Sequence, residues 1–530
     1  MTSNNNTYDA VVIGGGHNGL TAAALLAKAG RKVVLLERRP VLGGSSAREE
    51  FHAGYHTVGV HHDTACVRPE VVDNLNLKTH GLRFQARPPS VFAPQPPGGG
   101  PGLLLHDRPE DSAAEIGAHS SKDAARFARY RAFFARIKRF TGRVFAEPPP
   151  SPAPGASSTL RLLGDALALR RLGRKDMAEV LRIGAMCVAD WLNEWFECDL
   201  LKGLLAAPAL HGEFAGPWSP GTNGNLVRRE AAIAAVVSGG PAALIDALAR
   251  AARANGVEIR TNAEAAAVRV SAGAVNGVTL TDGDTIDSPL VAASCDPKRT
   301  FLRLLAGGDI GMTLAHRIEK MRMRGTTAKV NLALSAPLRF DCRPDLQFEH
   351  ARTAQTLNEI ERAFDSAKYG AFSAAPALDI CDVTAADSSS APQGHRTVSI
   401  IAHYAPYELC GGWTDESRAR LGEAILAALE RFAPDFRQLI VHHEVLTPAD
   451  IESRYGLTGG QINHGEHGLD QLIVRPCPEC AHYATPINGL YLCGSGSHPG
   501  GGLTCAPGAL GANAILKPAR PARRTSPRRV

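Results

Sequence analysis

The sequence predicts an α/β protein built on a discontinuous, doubly wound sheet of the Rossmann type, into which an α+β domain is inserted. A strand, a glycine-rich turn and a helix open the chain at residues 8–30. Residues 238–260 return to a glycine turn, a helix and a strand, and residues 490–516 repeat an apolar strand, glycines and a helix. Alternation of this kind is typical of a parallel sheet covered by helices. We therefore expect three distant segments to form one domain.

The opening unit has the pattern of a dinucleotide-binding fold. Residues 8–13 end in an apolar, β-branched run, which is typical of a buried parallel strand. Residues 20–29 are strong helix formers, and Gly30 stands where a C-terminal cap is expected. Between them, three glycines in G-x-G-x-x-G spacing allow the tight turn, the approach of a pyrophosphate and the packing of helix on strand. These glycines are Gly14, Gly16 and Gly19.

An acidic residue follows the second predicted strand. Residues 32–36 form that strand, and it ends in Glu37, 23 positions after Gly14. This is close to the spacing of a carboxylate that binds a ribose hydroxyl. The first helix would direct free N–H groups and the positive end of its dipole at the phosphates. Together these features favour a dinucleotide site over a glycine-rich structural turn.

Composition indicates a globular protein with a basic tail. Of 530 residues, 44% are hydrophobic and 21% are charged, and the length predicts more than one structural unit. The net charge of +6 equals the six cations of residues 515–530, so the remaining chain is balanced. We expect residues 516–530 to be disordered and solvated, with a peripheral membrane contact left open and no nucleic acid partner. The composition does not predict an oligomeric state.

The sequence favours a cytoplasmic location. It contains no apolar stretch of the ~18 residues that cross a bilayer, and residues 1–7 lack the parts of a secretion signal. Eleven cysteines, an odd number scattered along the chain, do not suggest a disulfide framework. Reduced thiols in the cytoplasm are the simplest interpretation.

A glycine pair beyond the acidic residue favours FAD over NAD. Gly43 and Gly44 give a second close approach to the backbone, which the longer flavin cofactor needs. At this point the sequence resembles the phytoene-desaturase-like branch of the amine-oxidase-type FAD superfamily, and most of all the pyridine nucleotide-disulfide oxidoreductase domain-containing protein 2 group. The resemblance extends through Arg68-Pro69-Glu70, Leu75-Asn76-Leu77 and His80-Gly81-Leu82.

The resemblance implies three parts of one FAD site. After the opening unit, the segment at 262–264 would place the backbone of residue 265 at the adenine, with alanine where the family usually has valine. The glycine-rich segment at 494–502 would run along the pyrophosphate, ribityl chain and pyrimidine edge of the flavin, before a second helix whose N-terminus faces the ligand. The implied cofactor contacts are Gly14, Gly16, His17, Asn18, Gly19, Glu37, Arg38, Gly43, Gly44, Ser45, Ala265, Gly494, Ser495, Gly501, Gly502, Leu503 and Thr504.

The predicted domain division follows from these segments. The FAD-binding domain comprises residues 1–90, 235–300 and 450–515, and the substrate domain comprises residues 91–234 and 301–449. Within the second domain, residues 94–102 must form a loop because they are almost all proline and glycine. The sequence predicts helices over 110–145 and 160–205, a linker over 148–159, and strands and helices beyond residue 300 that carry no chemical motif.

The predicted function is FAD-dependent dehydrogenation. A hydride would pass from a substrate carbon to flavin, with formation of a double bond and reoxidation by oxygen, a quinone or another external acceptor. The resemblance implies a small, apolar, polyene-like or amine-containing substrate. Disulfide reduction is disfavoured because the sequence has neither a second G-x-G-x-x-G nor a C-x-x-x-x-C. An NAD(P)-dependent reductase and a non-enzymatic lipid or prenyl-protein carrier remain as alternatives.

Two further groups of residues are candidates for a functional role. His61 and His62 follow the glycine pair closely enough to lie near the flavin, in a role of proton transfer or substrate binding, or of ordinary polar packing. Cys477 and Cys480 form a C-x-x-C that is redox-active, metal-binding, structural or pocket-lining, and the family usually has no cysteines there. No second pair supplies further thiolate ligands, so we predict no metal site.

Overall fold

The computed structural model describes residues 7–86, 90–150, 156–353 and 356–517, so the predicted tail of residues 516–530 lies outside it apart from two residues. The strands are β1 Ala10–Ile13, β2 Val33–Leu36, β3 Arg48–His52, β4 Tyr55–Val58, β5 Val91–Ala93, β6 Leu103–Leu105, β7 Glu258–Arg260, β8 Ala265–Ser271, β9 Ala274–Leu280, β10 Thr285–Asp287, β11 Val291–Ala293, β12 Thr327–Leu334, β13 His350–Arg352, β14 Leu378–Asp382, β15 Arg396–His403, β16 Ile440–Leu446 and β17 Leu490–Leu492. The helices are α1 His17–Lys28, α2 Pro69–Asn74, α3 Pro109–Gly117, α4 Ser121–Ala146, α5 Ala156–Arg170, α6 Gly173–Ile183, α7 Val188–Trp195, α8 Asp199–Leu210, α9 Thr222–Ala232, α10 Gly240–Ala254, α11 Pro297–Leu302, α12 Met312–Lys320, α13 Leu357–Lys368, α14 Val383–Ala386, α15 Asp415–Glu430, α16 Pro448–Tyr455 and α17 Ala506–Leu516.

A five-stranded parallel sheet confirms the predicted fold class. Its order is β17-β11-β1-β2-β7, and each neighbouring pair is parallel. The strands come from three distant parts of the chain, and all four residues of β1 and of β2 are buried. Side chains of α1, α10 and α17 form one apolar core with this sheet. The residue limits given above for the two domains remain a prediction.

A seven-stranded mixed sheet, in the order β16-β12-β15-β14-β13-β5-β6, has two unlike faces. One face is apolar and packs against α15. On the other face, the register sets Arg352 opposite Asp379, Asp379 opposite Ile401, and Ile401 opposite Lys329. Because directly paired residues share a face, charged side chains form a row across this sheet. The row faces the segment between β4 and α2, since the His62 imidazole lies 2.9 Å from Ser399 Oγ, also on β15.

The helical part differs in detail from the predicted pattern. The predicted helix over 110–145 is divided into α3 and α4 by a turn at 118–120, and α5 begins at Ala156, inside the predicted linker, whose residues 151–155 are not described. The predicted loop at 94–102 joins β5 to β6 as a hairpin. Trp191 is fully buried among aromatic side chains of α4. None of the described helices has the length and apolarity required to cross a bilayer.

Candidate active site

The first glycine turn brings α1 into direct contact with the end of β1. Gly14 has φ +100°, and Ser294 Oγ donates to the carbonyl oxygens of Ile13 at 2.9 Å and Gly14 at 3.1 Å. A Cβ on Gly14 would lie 2.5 Å from Ser294 Oγ, and one on Gly19 would lie 1.9 Å from the Gly14 oxygen. Neither position admits a side chain. The amides of the first turn of α1, which have no partners within the helix, therefore lie at the carboxyl end of the sheet.

A second glycine turn packs on the first. Gly43 has φ +115° and donates its amide to the Gly15 oxygen at 2.9 Å. A Cβ on Gly44 would lie 3.3 Å from the Cα of Gly16. The two turns therefore form a surface of bare backbone, which a pyrophosphate and the chain attached to it can approach closely.

Glu37 is held by backbone donors at the end of β2. Its Oε2 accepts from the Gly15 amide at 2.8 Å and its Oε1 accepts from the Arg39 amide at 2.9 Å. The residue is only 5% exposed, and it lines the cavity described next. Each carboxylate oxygen has a second acceptor direction, so both remain able to bind the hydroxyls of a ribose.

A first cavity of about 810 Å³ opens over these turns. It has two buried nitrogen atoms, Nε2 of His17 and Nδ1 of His464, that have no hydrogen-bond partner in the described protein. Orphaned polar atoms of this kind are unusual in a native interior and indicate a ligand. Predicted residues that line the cavity are Gly14, Gly16, His17, Asn18, Glu37, Arg38, Gly44, Ser45, Ala265 and Ser495. Lining residues that were not predicted include Ser294, Cys295, Arg299, Tyr455, Leu457 and His464.

Asn18 joins the two ends of the chain at this cavity. Its Nδ2 donates to Ser495 Oγ at 3.0 Å, and its Oδ1 accepts from the amide of Gly508 at 3.2 Å. The first residue of α17 donates to Thr504 Oγ1 at 3.2 Å, and the second is Pro507, which has no N–H. The first amides of α17 are therefore bonded within the protein, and the expectation that its N-terminus faces a ligand remains a prediction. This helix can act on a ligand only through its dipole.

Arg38 lines the cavity, and its guanidinium is hydrogen-bonded to a neighbouring helix. Its guanidinium donates to the carbonyl oxygens of Ser453 at 2.8 Å and Arg454 at 2.6 Å, in the last turn of α16. A cation at this end of a helix binds carbonyls that have no partner within the helix. Tyr455 and Leu457, which follow directly, line the cavity. Arg38 therefore supports this wall, and its contact with a cofactor remains a prediction.

A second cavity, of about 920 Å³, adjoins the first. Asn463 and His464 are consecutive in sequence yet line different cavities, and the buried His17 lies beside both Gly502 and His61. Gly502 has φ +96°, and a Cβ there would meet nothing within 4 Å. The predicted residues that line this cavity are His61, His62, Gly501, Gly502, Leu503 and Thr504, whereas Gly19, Gly43 and Gly494 line neither and act as close-packed backbone behind the walls.

The wall of the second cavity is strongly charged, which does not match the expected apolar substrate. Arg229 pairs with Asp63 at 2.6 Å, and this guanidinium overcomes the effect of burial to lower the pKa of Asp63 to about 2. Arg228 donates to the Gly501 oxygen at 3.1 Å, and its Nε is buried without a partner in the described residues. Arg352 and Asp379 complete the charged set. A polyene here would desolvate these groups without replacing their hydrogen bonds.

His61 and His62 both lie in the second cavity as neutral imidazoles. Burial, aided by His211, lowers the pKa of His61 to about 3, and burial with the nearby Lys329 lowers the pKa of His62 well below its ordinary value. The Nε2 of His61 lies 3.2 Å from the Ile462 carbonyl oxygen, which can only accept. The proton of His61 is therefore on Nε2, and Nδ1 is an acceptor. A catalytic role for either histidine remains a prediction.

The C-x-x-C pair has the environment of a structural element. Cys477 and Cys480 are 5% and 0% exposed, lie in the apolar core beneath the parallel sheet and line neither cavity. The Cys480 thiol donates to Cys477, which lowers the pKa of Cys477 and raises that of Cys480. Of the four alternatives, this placement favours the structural one.

Comparison with known proteins agrees with the geometry. Residues 12–71 match the model of the NAD(P)-binding Rossmann-like domain. Over 517 residues the chain is 33% identical to pyridine nucleotide-disulfide oxidoreductase domain-containing protein 2 of Rattus norvegicus, covering 91% of this chain and 88% of that protein. It is 27% identical to a lycopene-forming phytoene desaturase of Pseudescherichia vulneris over 50% of this chain and 52% of the desaturase.

A solved structure supports the fold. An oxidoreductase from Methanosarcina mazei superimposes with a TM-score of 0.58 at 18% identity, over 96% of this chain and 99% of the other. The chain belongs to the pyridine nucleotide-disulfide oxidoreductase domain-containing protein 2 family of oxidoreductases, which share a Rossmann-type nucleotide-binding fold.

Proposed function

We propose that the protein is an FAD-dependent dehydrogenase or oxidase whose substrate is a small polar molecule. The observation that carries the proposal is the junction of two cavities at His17, His61 and Gly502. The first cavity has the bare backbone and the carboxylate that a dinucleotide requires. The second offers space beyond the end of a dinucleotide, which a reacting substrate needs. The domain division predicted above agrees with this arrangement, since both domains contribute to the second cavity.

Five groups of residues would hold FAD. The turn of Gly14, Gly16 and Gly19 would receive the pyrophosphate, and Glu37 would bind ribose hydroxyls. Ala265 would contact the adenine, while Gly44–Ser45 and Gly501–Thr504 would contact the remaining part of the cofactor. The unpartnered nitrogens of His17 and His464 support the fit, because a bound cofactor gives them partners. When bound, FAD supplies acceptance of a hydride and transfer of electrons to an external acceptor such as oxygen or a quinone.

The chain's own residues would bind and orient the substrate. Nδ1 of His61 is an acceptor directed by the bond from Nε2 to Ile462, so it can take a hydrogen bond from a substrate hydroxyl or amine. Among the described residues, Arg228 has no carboxylate partner within salt-bridge distance, and its guanidinium is held at Gly501, beside the proposed flavin segment. Its guanidinium suits a carboxylate or phosphate group on the substrate. We therefore favour an anionic or amine-containing substrate over a polyene.

The test begins with the cofactor that the purified protein retains. We expect near-stoichiometric bound FAD, and we expect Glu37→Gln to raise the dissociation constant at least roughly tenfold, because hydrogen bonds to a charged group contribute about 1.5–3 kcal/mol. Glu258→Gln, an exposed carboxylate on the adjacent strand β7, is the matched control. A colourless protein that binds NADH would support the NAD(P)-dependent alternative, and one that binds neither dinucleotide would support a carrier.

The substrate class is tested on the FAD-loaded protein. Under anaerobic conditions, small hydroxy acids, amines and polyenes are added separately, and the loss of visible flavin absorbance is followed. Bleaching by a charged compound, weakened in Arg228→Met, is the expected result. Bleaching by a polyene alone, unaffected by Arg228→Met, would contradict the assignment of a polar substrate while leaving the FAD assignment intact.

A further inference from the structure

Three side chains with metal-binding atoms converge at the edge of the second cavity. Asp379 Oδ2 lies 3.5 Å from His403 Nε2 and 3.9 Å from His211 Nδ1, and one ligand atom from each of the three residues lies within 4.8 Å of the other two. We propose that His211, Asp379 and His403 bind one divalent ion of a first-row transition metal. This proposal is independent of flavin binding, because it concerns only these side chains.

The register of the seven-stranded sheet places two of these ligands together. Asp379 on β14 pairs with Ile401 on β15, and His403 stands two residues further along β15. Residues two apart on a strand share a face, so Asp379 and His403 are diagonal neighbours on the charged face of the sheet. His211 follows the last residue of α8 and reaches the same point from the helical layer. The three ligands thus come from three elements and show no motif in the sequence.

The spacing suits an ion better than direct hydrogen bonds. The 3.9 Å between Asp379 Oδ2 and His211 Nδ1 is too long for a hydrogen bond, and the 3.5 Å between Asp379 Oδ2 and His403 Nε2 is at its outer limit. Two ligand atoms that each lie ~2.1 Å from one ion are separated by roughly 3.5 Å, close to the observed spacing. Asp379 also has a separate partner, because Arg352 Nε donates to its other oxygen, Oδ1, at 2.5 Å. Arg352 therefore fixes the orientation of the carboxylate and leaves Oδ2 directed toward both imidazoles, as residues outside a metal's ligand set commonly do.

The donor set indicates the class of ion and of ligand. Two imidazoles and one carboxylate suit Zn²⁺ or Fe²⁺, whereas Mg²⁺ and Ca²⁺ prefer oxygen ligands alone. Three protein ligands leave at least one coordination position free. His211 and Asp379 line the second cavity, and the His211 ring centroid lies 6.2 Å from that of His61. Since two of the three ligands line the cavity, a free position directed into it would let a carboxylate, carbonyl or hydroxyl oxygen of a small molecule bind the ion.

Metal binding by the full chain, purified without a polyhistidine tag, tests the proposal. The protein is stripped with a chelator and titrated with Zn²⁺ or Co²⁺ alone, and bound metal is measured by equilibrium dialysis and elemental analysis. We expect about one equivalent, with visible cobalt bands of a low-coordinate nitrogen–oxygen site. His211→Ala and His403→Gln should each weaken binding by ~100-fold or more, since even residues outside the ligand set contribute 10–100-fold.

Two controls distinguish this site from other binding. His62→Gln alters another histidine of the same cavity, and Cys477→Ser removes the alternative thiol ligand; neither should change the affinity. Because His211 lies at the cavity wall, we expect His211→Ala to be less prone to unfolding than His403→Gln. The thermal midpoint of each variant shows whether a loss of metal binding is due to misfolding. Absence of stoichiometric binding in the wild type, equal loss in His62→Gln, or loss only in Cys477→Ser would overturn the proposal.

Discussion

A single buried lysine holds the segment that leads to His61. Lys329 is 0% exposed, and its ammonium donates to the carbonyl oxygens of Val58 and Gly59. Gly59 is pressed against Ser45, since a Cβ there would lie 1.9 Å from the Ser45 oxygen. Lys329 therefore connects the charged face of the large sheet to both the glycine pair and the histidines. Burial lowers the pKa of Lys329 from 10.5 to about 7.

This pKa predicts a stability that rises with pH. Between pH 7 and 10.5 the unfolded chain binds more protons at this site than the folded chain, so the free energy of unfolding increases with pH, by up to about 1.4 kcal/mol per unit. Lys329→Met removes this titration. Because the variant loses two hydrogen bonds, we expect its midpoint of urea unfolding to be below that of the wild type. The difference between the two midpoints should grow from about pH 6.5 to about pH 8.5, since only the wild type gains stability from this titration. Lys78→Met, which alters an exposed lysine, is the reference variant. If the unfolding midpoints of the wild type and of Lys329→Met change with pH in parallel, Lys329 does not titrate in this range.

At the scale of elements, helix α16 supports one wall of the first cavity and is itself supported by Arg38. The guanidinium binds two carbonyls of its last turn, and Gly456 ends the helix with φ +71°. The wall residues Tyr455 and Leu457 lie at this end of the helix. The position of the wall therefore depends on a cap supplied from the end of β2.

Loss of that cap should destabilise the C-terminal end of α16 and weaken the binding of the cofactor. Arg38→Met removes charge-assisted bonds that contribute about 1.5–3 kcal/mol each in other proteins, so we expect faster hydrogen exchange over residues 448–457 and an FAD dissociation constant raised roughly tenfold. Arg303→Met is the matched control, because the Arg303 guanidinium lies 3.6 Å from the side-chain carboxylate of Glu452 in the same helix turn, so its loss leaves the carbonyl contacts of Arg38 in place. Equal effects of the two variants, or unchanged exchange in Arg38→Met, would refute the capping role.

How far the sequence predicted these elements depends on the range of their interactions. β1, α1, β2 and α17 are determined by local runs and glycine spacing, and each lies within a few residues of its predicted place. The charged face escaped prediction because it depends on pairing: Arg352, Asp379 and Lys329 become neighbours only through the register of four strands. Apolar neighbours such as Ile380 and Ile400 give these strands the sequence pattern of ordinary core strands. The polar cavity and the His211 cluster were missed for this reason.

At the scale of the whole molecule, one domain is assembled from segments that meet only in three dimensions. Asn18 near the start bonds Ser495 and Gly508 near the end, and Ser294 bonds Gly14. A ligand in the first cavity would contact all three segments together. Ligand binding stabilises every element of the folded state that must open to release it, by RT ln(1 + [L]/Kd). The cofactor should therefore act on the domain as a unit, however far apart its parts lie in sequence.

Hydrogen exchange with and without FAD tests this coupling. At a cofactor concentration ~100 times its dissociation constant, exchange that requires opening of the site should slow by up to ~100-fold, or about 2.7 kcal/mol. We expect the slowing to be shared by α1, by the start of β8 and by residues 494–504, because all three border the first cavity or its junction with the second. The strands β5 and β6 should change little, since they lie at one edge of the other sheet and line neither cavity. Slowing limited to α1, with the distant segments unchanged, would mean that the nucleotide binds the opening unit alone, and the three segments would then not form one cofactor site.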